Sequence, residues 1–199
     1  MGYMDMAADV IEHIEANNLE PITILGHSMG GKVAMTAALN YPDYVKKLIV
    51  VDIAPIRYKD NLTPTITAML NLDLSTITSR SKAETLLAPH IPDRAMRLFL
   101  LQNLHFKTGL ASWSCNVAAI REAMYEIIGP VPTLKTEKYT GPCTFIRGEN
   151  SNYVGEKEIA KINELFPKNR VNTIRAAAHW PHTENPKEFM KATYESLKM

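Results

Sequence analysis

"ITILGHSMGGKVAM", residues 22–35, sets one serine among glycines directly after a short apolar, β-branched run and directly before apolar residues at helical spacing. Gly26, Ser28 and Gly30 meet the pattern G-x-S-x-G. Alone the pattern is weak, since chance supplies it in roughly 7% of chains of this length. Its setting makes it specific. A nucleophile elbow needs a strand, a tight turn that holds the serine in a strained conformation, and a helix whose N-terminus faces the serine. "ITIL", "GHSMG" and "GKVAMTAAL" supply these in order. The glycines allow strand and helix to approach without Cβ clashes, and the N–H after the serine, that of Met29, is aimed at a developing oxyanion.

Outward from the elbow the chain alternates helix and strand. Met4, Ala7, Ala8, Val10, Ile11 and Ile14 predict an amphipathic helix over residues 3–17. The helix after Ser28 should stop at Tyr41-Pro42, and "YVKKLIVVD" reads as an interior parallel strand. This rhythm predicts an α/β fold with a mostly parallel sheet and helices on both faces. From about Ala54 to Thr136 the text turns rich in Leu, Met and Ala with Pro breaks, which predicts a helical insertion. Strand character returns at "PCTFIRG" and "RVNTIRA", with a helix over about 155–166 between them and a final helix in "NPKEFMKATYESLK". The expected division is core over 1–54, helical cap over 55–136 and core over 137–199, without repeats or linkers.

Composition narrows the function. The 199 residues are 46% hydrophobic and 22% charged, ordinary for a globular domain. The 22 basic and 21 acidic side chains nearly cancel without a Lys/Arg block, so nucleic acid and anionic membrane surfaces are not expected partners. Cys115 and Cys143 have neither CxxC spacing nor a framework around them, which argues against a disulfide scaffold or a zinc site. No apolar run approaches the roughly 20 residues of a membrane span. The opening "MGYMDMAADVIEHIE" has no Arg or Lys and is unlike a targeting peptide.

A serine hydroxyl needs a base to take its proton, and in this arrangement the base sits on the loop after the last strand. Of six histidines, His179 and His182 lie there, and His179 is the first that can reach back. His27, inside the elbow, should point away from the serine; His90 and His105 fall in the insertion and His13 on the opening helix. Two carboxylates compete for the third place. Glu149 follows the penultimate strand, the usual position, although Ser151 stands where an Asp is expected. Asp52 closes the strand beside the elbow strand, where an unpartnered carboxylate is costly to bury, or it caps the turn before Pro55.

Taken together, "MGYMDMAADV", "GHSMGGKVAM", "VVDIAP", "FLLQNL", "RGENSNYV" and "AHWPHTENPKEF" resemble the α/β-hydrolase subgroup of the abhydrolase domain-containing protein 11 type, the YbfF-type bacterial esterases and the yeast ethanol acetyltransferases. The resemblance runs in order over essentially the whole chain. It implies Ser28 as nucleophile, Asp52 as acid, 24 residues beyond the serine, His179 as general base and Met29 as one oxyanion donor. It further implies hydrolysis or transfer of acyl groups from small-molecule esters or thioesters, with no metal or organic cofactor, and a mitochondrial location. The cap would lie over the site and line an acyl pocket, and Trp180, beside His179, is a candidate substrate contact. Two departures stand out. Ala178 replaces the usual glycine before the base, and the family's first strands and HG-type loop have no counterpart before Ser28. On this reading the sequence is an N-terminally truncated hydrolase; the alternative is a catalytically incompetent truncated hydrolase acting as an interaction module, and its protein partners are left open.

Overall fold

The computed structural model describes residues 1–19, 21–107, 109–134 and 138–198. The chain opens with α1 (Tyr3–Ala16), β1 (Ile22–His27), α2 (Met29–Asn40) and β2 (Val45–Val51). There follow α3 (Thr63–Leu70), α4 (Arg80–Leu87), α5 (Arg94–Leu101), β3 (Leu104–Lys107), β4 (Leu110–Trp113), α6 (Val117–Glu122) and α7 (Met124–Ile127). It closes with β5 (Cys143–Gly148), α8 (Glu156–Leu165), β6 (Asn169–Ile174), α9 (Pro181–Glu184) and α10 (Pro186–Lys198). Two compact units result, one of residues 2–58 and 129–199, the other chiefly of residues 59–128.

The first unit is a parallel sheet in the order β1-β2-β5-β6. Period-2 alternation sorts its side chains. Leu48 and Val50 of β2 and Phe145 of β5 enter one apolar cluster with Ala7, Ile11 and Ile14 of α1, Met35 and Ala38 of α2, and Ile162 of α8. Ile49, Val51 and Ile146 face the other way, into a smaller cluster with Ile174, Ala177 and Ala192 of α10. Helices therefore cover both faces, and β2, with Val50 and Val51 fully buried, is the middle of the core. Helix α1 buries Tyr3, Ala7, Ile11 and Ile14, the stripe that helical periodicity requires. Lys32 is buried as well, its Nζ donating to the carbonyls of Ile56 and Gly129, on either side of the excursion into the second unit.

The second unit has its own core, which includes Met69, Leu87, Leu101, Leu104, Val117 and Met124. Ser79, Asp93 and Asn116 cap its helices by accepting from first-turn N–H groups. The expectation that this stretch is helical is corrected at 104–113, where β3 and β4 form an antiparallel hairpin with Gly109 at φ +83°. Its four-residue strands are too short to show a period. The expected boundary at residue 136 lies outside the described residues. No helix among the described residues is long and apolar enough to cross a membrane.

Candidate active site

Three strand ends bring the site together. At the end of β1 the chain turns sharply into α2, and Ser28 takes φ 51°, ψ −120°. A non-glycine residue in that region costs about 1–3 kcal/mol and persists only where its surroundings enforce it. Here the Ser28 N–H extends the ladder to the Val51 carbonyl at 2.9 Å, and the Ser28 carbonyl accepts from Gly31 and Lys32. A Cβ on Gly26 would stand 2.2 Å from the Gly30 carbonyl oxygen, so the crossing of strand and helix requires glycine there. At Gly30 a Cβ would meet nothing within 4 Å. The second glycine of the motif is thus not needed for space. Asp52, just past β2, repeats the strained left-handed backbone at φ 52°, while its N–H continues the ladder to Ile146.

His179 arrives from the turn after β6. That turn packs so closely on the end of β5 that a Cβ on Gly148 would come within 2.0 Å of the Ala178 carbonyl oxygen. His179 Nε2 lies 3.0 Å from Ser28 Oγ, and its Nδ1 lies 2.8 Å from Asp52 Oδ2. Asp52 is 1% exposed and therefore must be partnered. Its Oδ1 accepts from the Gly148 N–H at 2.9 Å, and its Oδ2 also accepts from Ser151 Oγ. With a carboxylate at Nδ1, that nitrogen carries the proton of the neutral imidazole and leaves Nε2 free to accept from the serine. Such a chain can draw a proton from a hydroxyl. Met29 is the first residue of α2, so its N–H has no acceptor one helical turn back.

Of the sequence candidates, Ser28, Asp52 and His179 are brought together, and Glu149 and His182 are not. The Glu149 carboxylate accepts from the Ala176 N–H at 2.9 Å, within the β6 turn. His182 makes T-shaped ring contacts with His27 and Phe189. Trp180 packs against His27, His179 and His182. His27, expected only to point away, belongs to the site: its Nε2 donates to the His179 carbonyl at 2.8 Å and its ring centroid stands 4.9 Å from that of His179. A carbonyl only accepts, which fixes the proton on Nε2. Burial, the largest influence, pushes the pKa of His27 down to about 4 despite this hydrogen bond. Sequence reading also passed over Tyr153, whose ring stacks on His179 with centroids 4.0 Å apart. The aromatic residue two positions after Ser151, in the loop after β5, was the available signal. Among the described residues no cluster of three or more His, Cys, Asp or Glu could hold a metal ion.

A strained serine at a strand-to-helix elbow, with an imidazole and a carboxylate at neighbouring strand ends of a parallel sheet, defines a class. Residues 1–186 match the α/β hydrolase fold family, and the chain belongs to it. Its relatives include the zebrafish (Danio rerio) sn-1-specific diacylglycerol lipase ABHD11, 34% identical over all of this chain and 64% of the relative. They also include the esterase YbfF of Escherichia coli K12, 32% identical over 96% of this chain and 73% of the relative. The chain spans just under two thirds of the length of the ABHD11 relatives. Among solved structures, a marine microorganism esterase superposes with a TM-score of 0.93 at 38% identity, over 98% of this chain and 77% of that one.

Proposed function

We propose that the protein is a serine hydrolase acting on carboxylic esters or thioesters. The observation that carries this reading is the continuous hydrogen-bonded chain Ser28 Oγ, His179 Nε2, His179 Nδ1, Asp52 Oδ2, with links of 3.0 and 2.8 Å. His179 takes the Ser28 proton as Oγ bonds to the acyl carbonyl carbon, and the resulting oxyanion accepts from the Met29 N–H. The tetrahedral species collapses, the leaving alcohol or thiol departs with the proton from His179, and the acyl group stays on Ser28. Water, or an alcohol in its place, then gives its proton to His179 as its oxygen bonds to the acyl carbon; the bond to Ser28 Oγ breaks and His179 returns the proton to Oγ. Asp52, held by Gly148 and Ser151, keeps the imidazole in its tautomer and offsets its positive charge.

The relatives named as diacylglycerol lipase and esterase support esters as the substrate class. An ethanol acetyltransferase of Cyberlindnera fabianii, 29% identical over 96% of this chain and 63% of the relative, supports an alcohol as a second acceptor. Trp180, whose ring stands beside His179, would flank the bound acyl group. The resemblance to eukaryotic members supports a mitochondrial location, which fractionation of cells expressing the protein would check.

Exposure to a fluorophosphonate followed by intact-mass measurement tests the chemistry. One adduct on the unaltered chain and none on Ser28→Ala is the expected outcome, and absence of an adduct on folded protein would refute it. Asp52→Asn should lower hydrolysis of a small acetyl ester by about 10⁴-fold. Glu149→Gln, whose target carboxylate only ties down the β6 turn, should leave the rate within a few-fold. The reverse order would move the acid to residue 149.

A further inference from the structure

The loop after β5 touches both partners of the serine without supplying either. Ser151 Oγ donates to Asp52 Oδ2 and accepts from the Tyr153 N–H at 3.2 Å. The Tyr153 ring lies on the imidazole of His179, centroids 4.0 Å apart and planes inclined by 24°. Tyr58 in turn fixes Tyr153: its hydroxyl donates to the Tyr153 carbonyl at 2.7 Å and accepts from the Ala54 N–H at 2.8 Å. We propose that Tyr153 is a positioning residue for His179, setting the plane in which both ring nitrogens meet their partners and stabilising the imidazolium through its π-face. The proposal rests on the reading of His179 as the base.

The surroundings of His179 leave this role to Tyr153. Asp52 faces Nδ1 from the end of β2, and Ser28 faces Nε2 from the elbow. His27, from the end of β1, stands at 4.9 Å and is neutral above about pH 4. Trp180 meets the ring at 5.6 Å, nearly edge to face, and His182 of α9 reaches His27, 5.0 Å away. The Glu184 carboxylate, also on α9, accepts from the Ala178 N–H. Asp52 is thus the carboxylate bonded to the imidazole, and Tyr153 is the ring stacked on it. Aromatic faces carry negative potential and attract a cation held over them. Burial raises the Tyr153 pKa, so the phenol stays neutral through the working range.

Leucine at 153 removes the π-face while keeping apolar bulk over the imidazole. The full chain, carrying ¹³C-labelled histidine, is titrated by NMR, with the His179 signal assigned by its loss in His179→Gln. Tyr153→Leu should lower the His179 midpoint by about half a pH unit, as expected for a lost cation–π contact at a partly exposed site. Tyr153→Phe should leave the midpoint in place. Ester turnover should fall about 10-fold in kcat with KM little changed in the leucine variant, and phenylalanine should restore it. Were Tyr153→Leu unable to fold, Tyr153→Met would be read instead. An unchanged midpoint in the leucine or methionine variant, or an equal shift in the phenylalanine variant, overturns the proposal. The titration requires no turnover, so a chain without fluorophosphonate labelling would sink the acyl-transfer reading and still leave Tyr153 to be decided.

Discussion

At the scale of single residues, the site depends on a histidine that does not titrate in the physiological range. His27 holds the backbone of His179 through its Nε2 proton, and burial moves its pKa from 6.5 to about 4. Between those values the unfolded chain binds the proton and the folded chain does not. The stability this contributes is therefore complete above pH 6.5 and is lost as the pH falls toward 4. Discounted for partial exposure, it amounts to about 1–2 kcal/mol. His27→Gln keeps a donor at the same reach and cannot titrate. Its urea midpoint should consequently fall less steeply than that of the unaltered chain between pH 6.5 and 4.5. Parallel curves would mean that His27 is not the titrating group. The sequence showed His179 by its place after the last strand, whereas the part played by His27 depended on side-chain direction at a strand end, which no spacing encodes. Asp52 and Glu149 stayed undecided among the residues themselves for the same reason. Each follows a strand, and only the fold turns one toward the imidazole and the other toward the Ala176 N–H.

At the scale of elements, close approach of backbones explains which glycines matter. Gly148 ends β5 against the carbonyls of Ala177 and Ala178, which a Cβ would meet at 2.6 and 2.0 Å. Gly148→Ala must push the His179 turn away from Asp52. It should cost about 1–3 kcal/mol of stability by overpacking and, on the proposed mechanism, about 10²-fold in ester hydrolysis through misplacement of His179. Gly30→Ala, on a helix with open space at that point, should be neutral or stabilising by roughly 0.5 kcal/mol. Thermal melts with rate measurements on both variants decide, and equal damage would remove the steric argument. The elbow was legible because its strand, turn and helix each have their own period. The hairpin of β3 and β4 was not, since four residues cannot distinguish alternation from chance. Gly109, with its positive φ between two short runs, was the trace it left.

At the scale of the molecule, the order β1-β2-β5-β6 makes the elbow strand a sheet edge among the described residues. Successive residues of a strand direct their amides to opposite sides. Because the Ser28 N–H donates to Val51, those of Ile24 and Gly26 face β2, and that of Leu25 faces away from it. Leu25 is also 45% exposed, whereas Leu48, Ile49, Val50 and Val51 of β2 are at most 1% exposed. Hydrogen exchange should follow this geometry. Amides of β2 and β5 should open only with global unfolding, Ile24 and Gly26 should be intermediate, and Leu25 should exchange fastest within β1. An edge with unpaired N–H and C=O groups is a template for another strand. Protection at Leu25 that grows with protein concentration would show one copy pairing with the next along β1. Protection that is strong and independent of concentration would mean that a segment of the same chain covers the edge, and the sheet order would need revision.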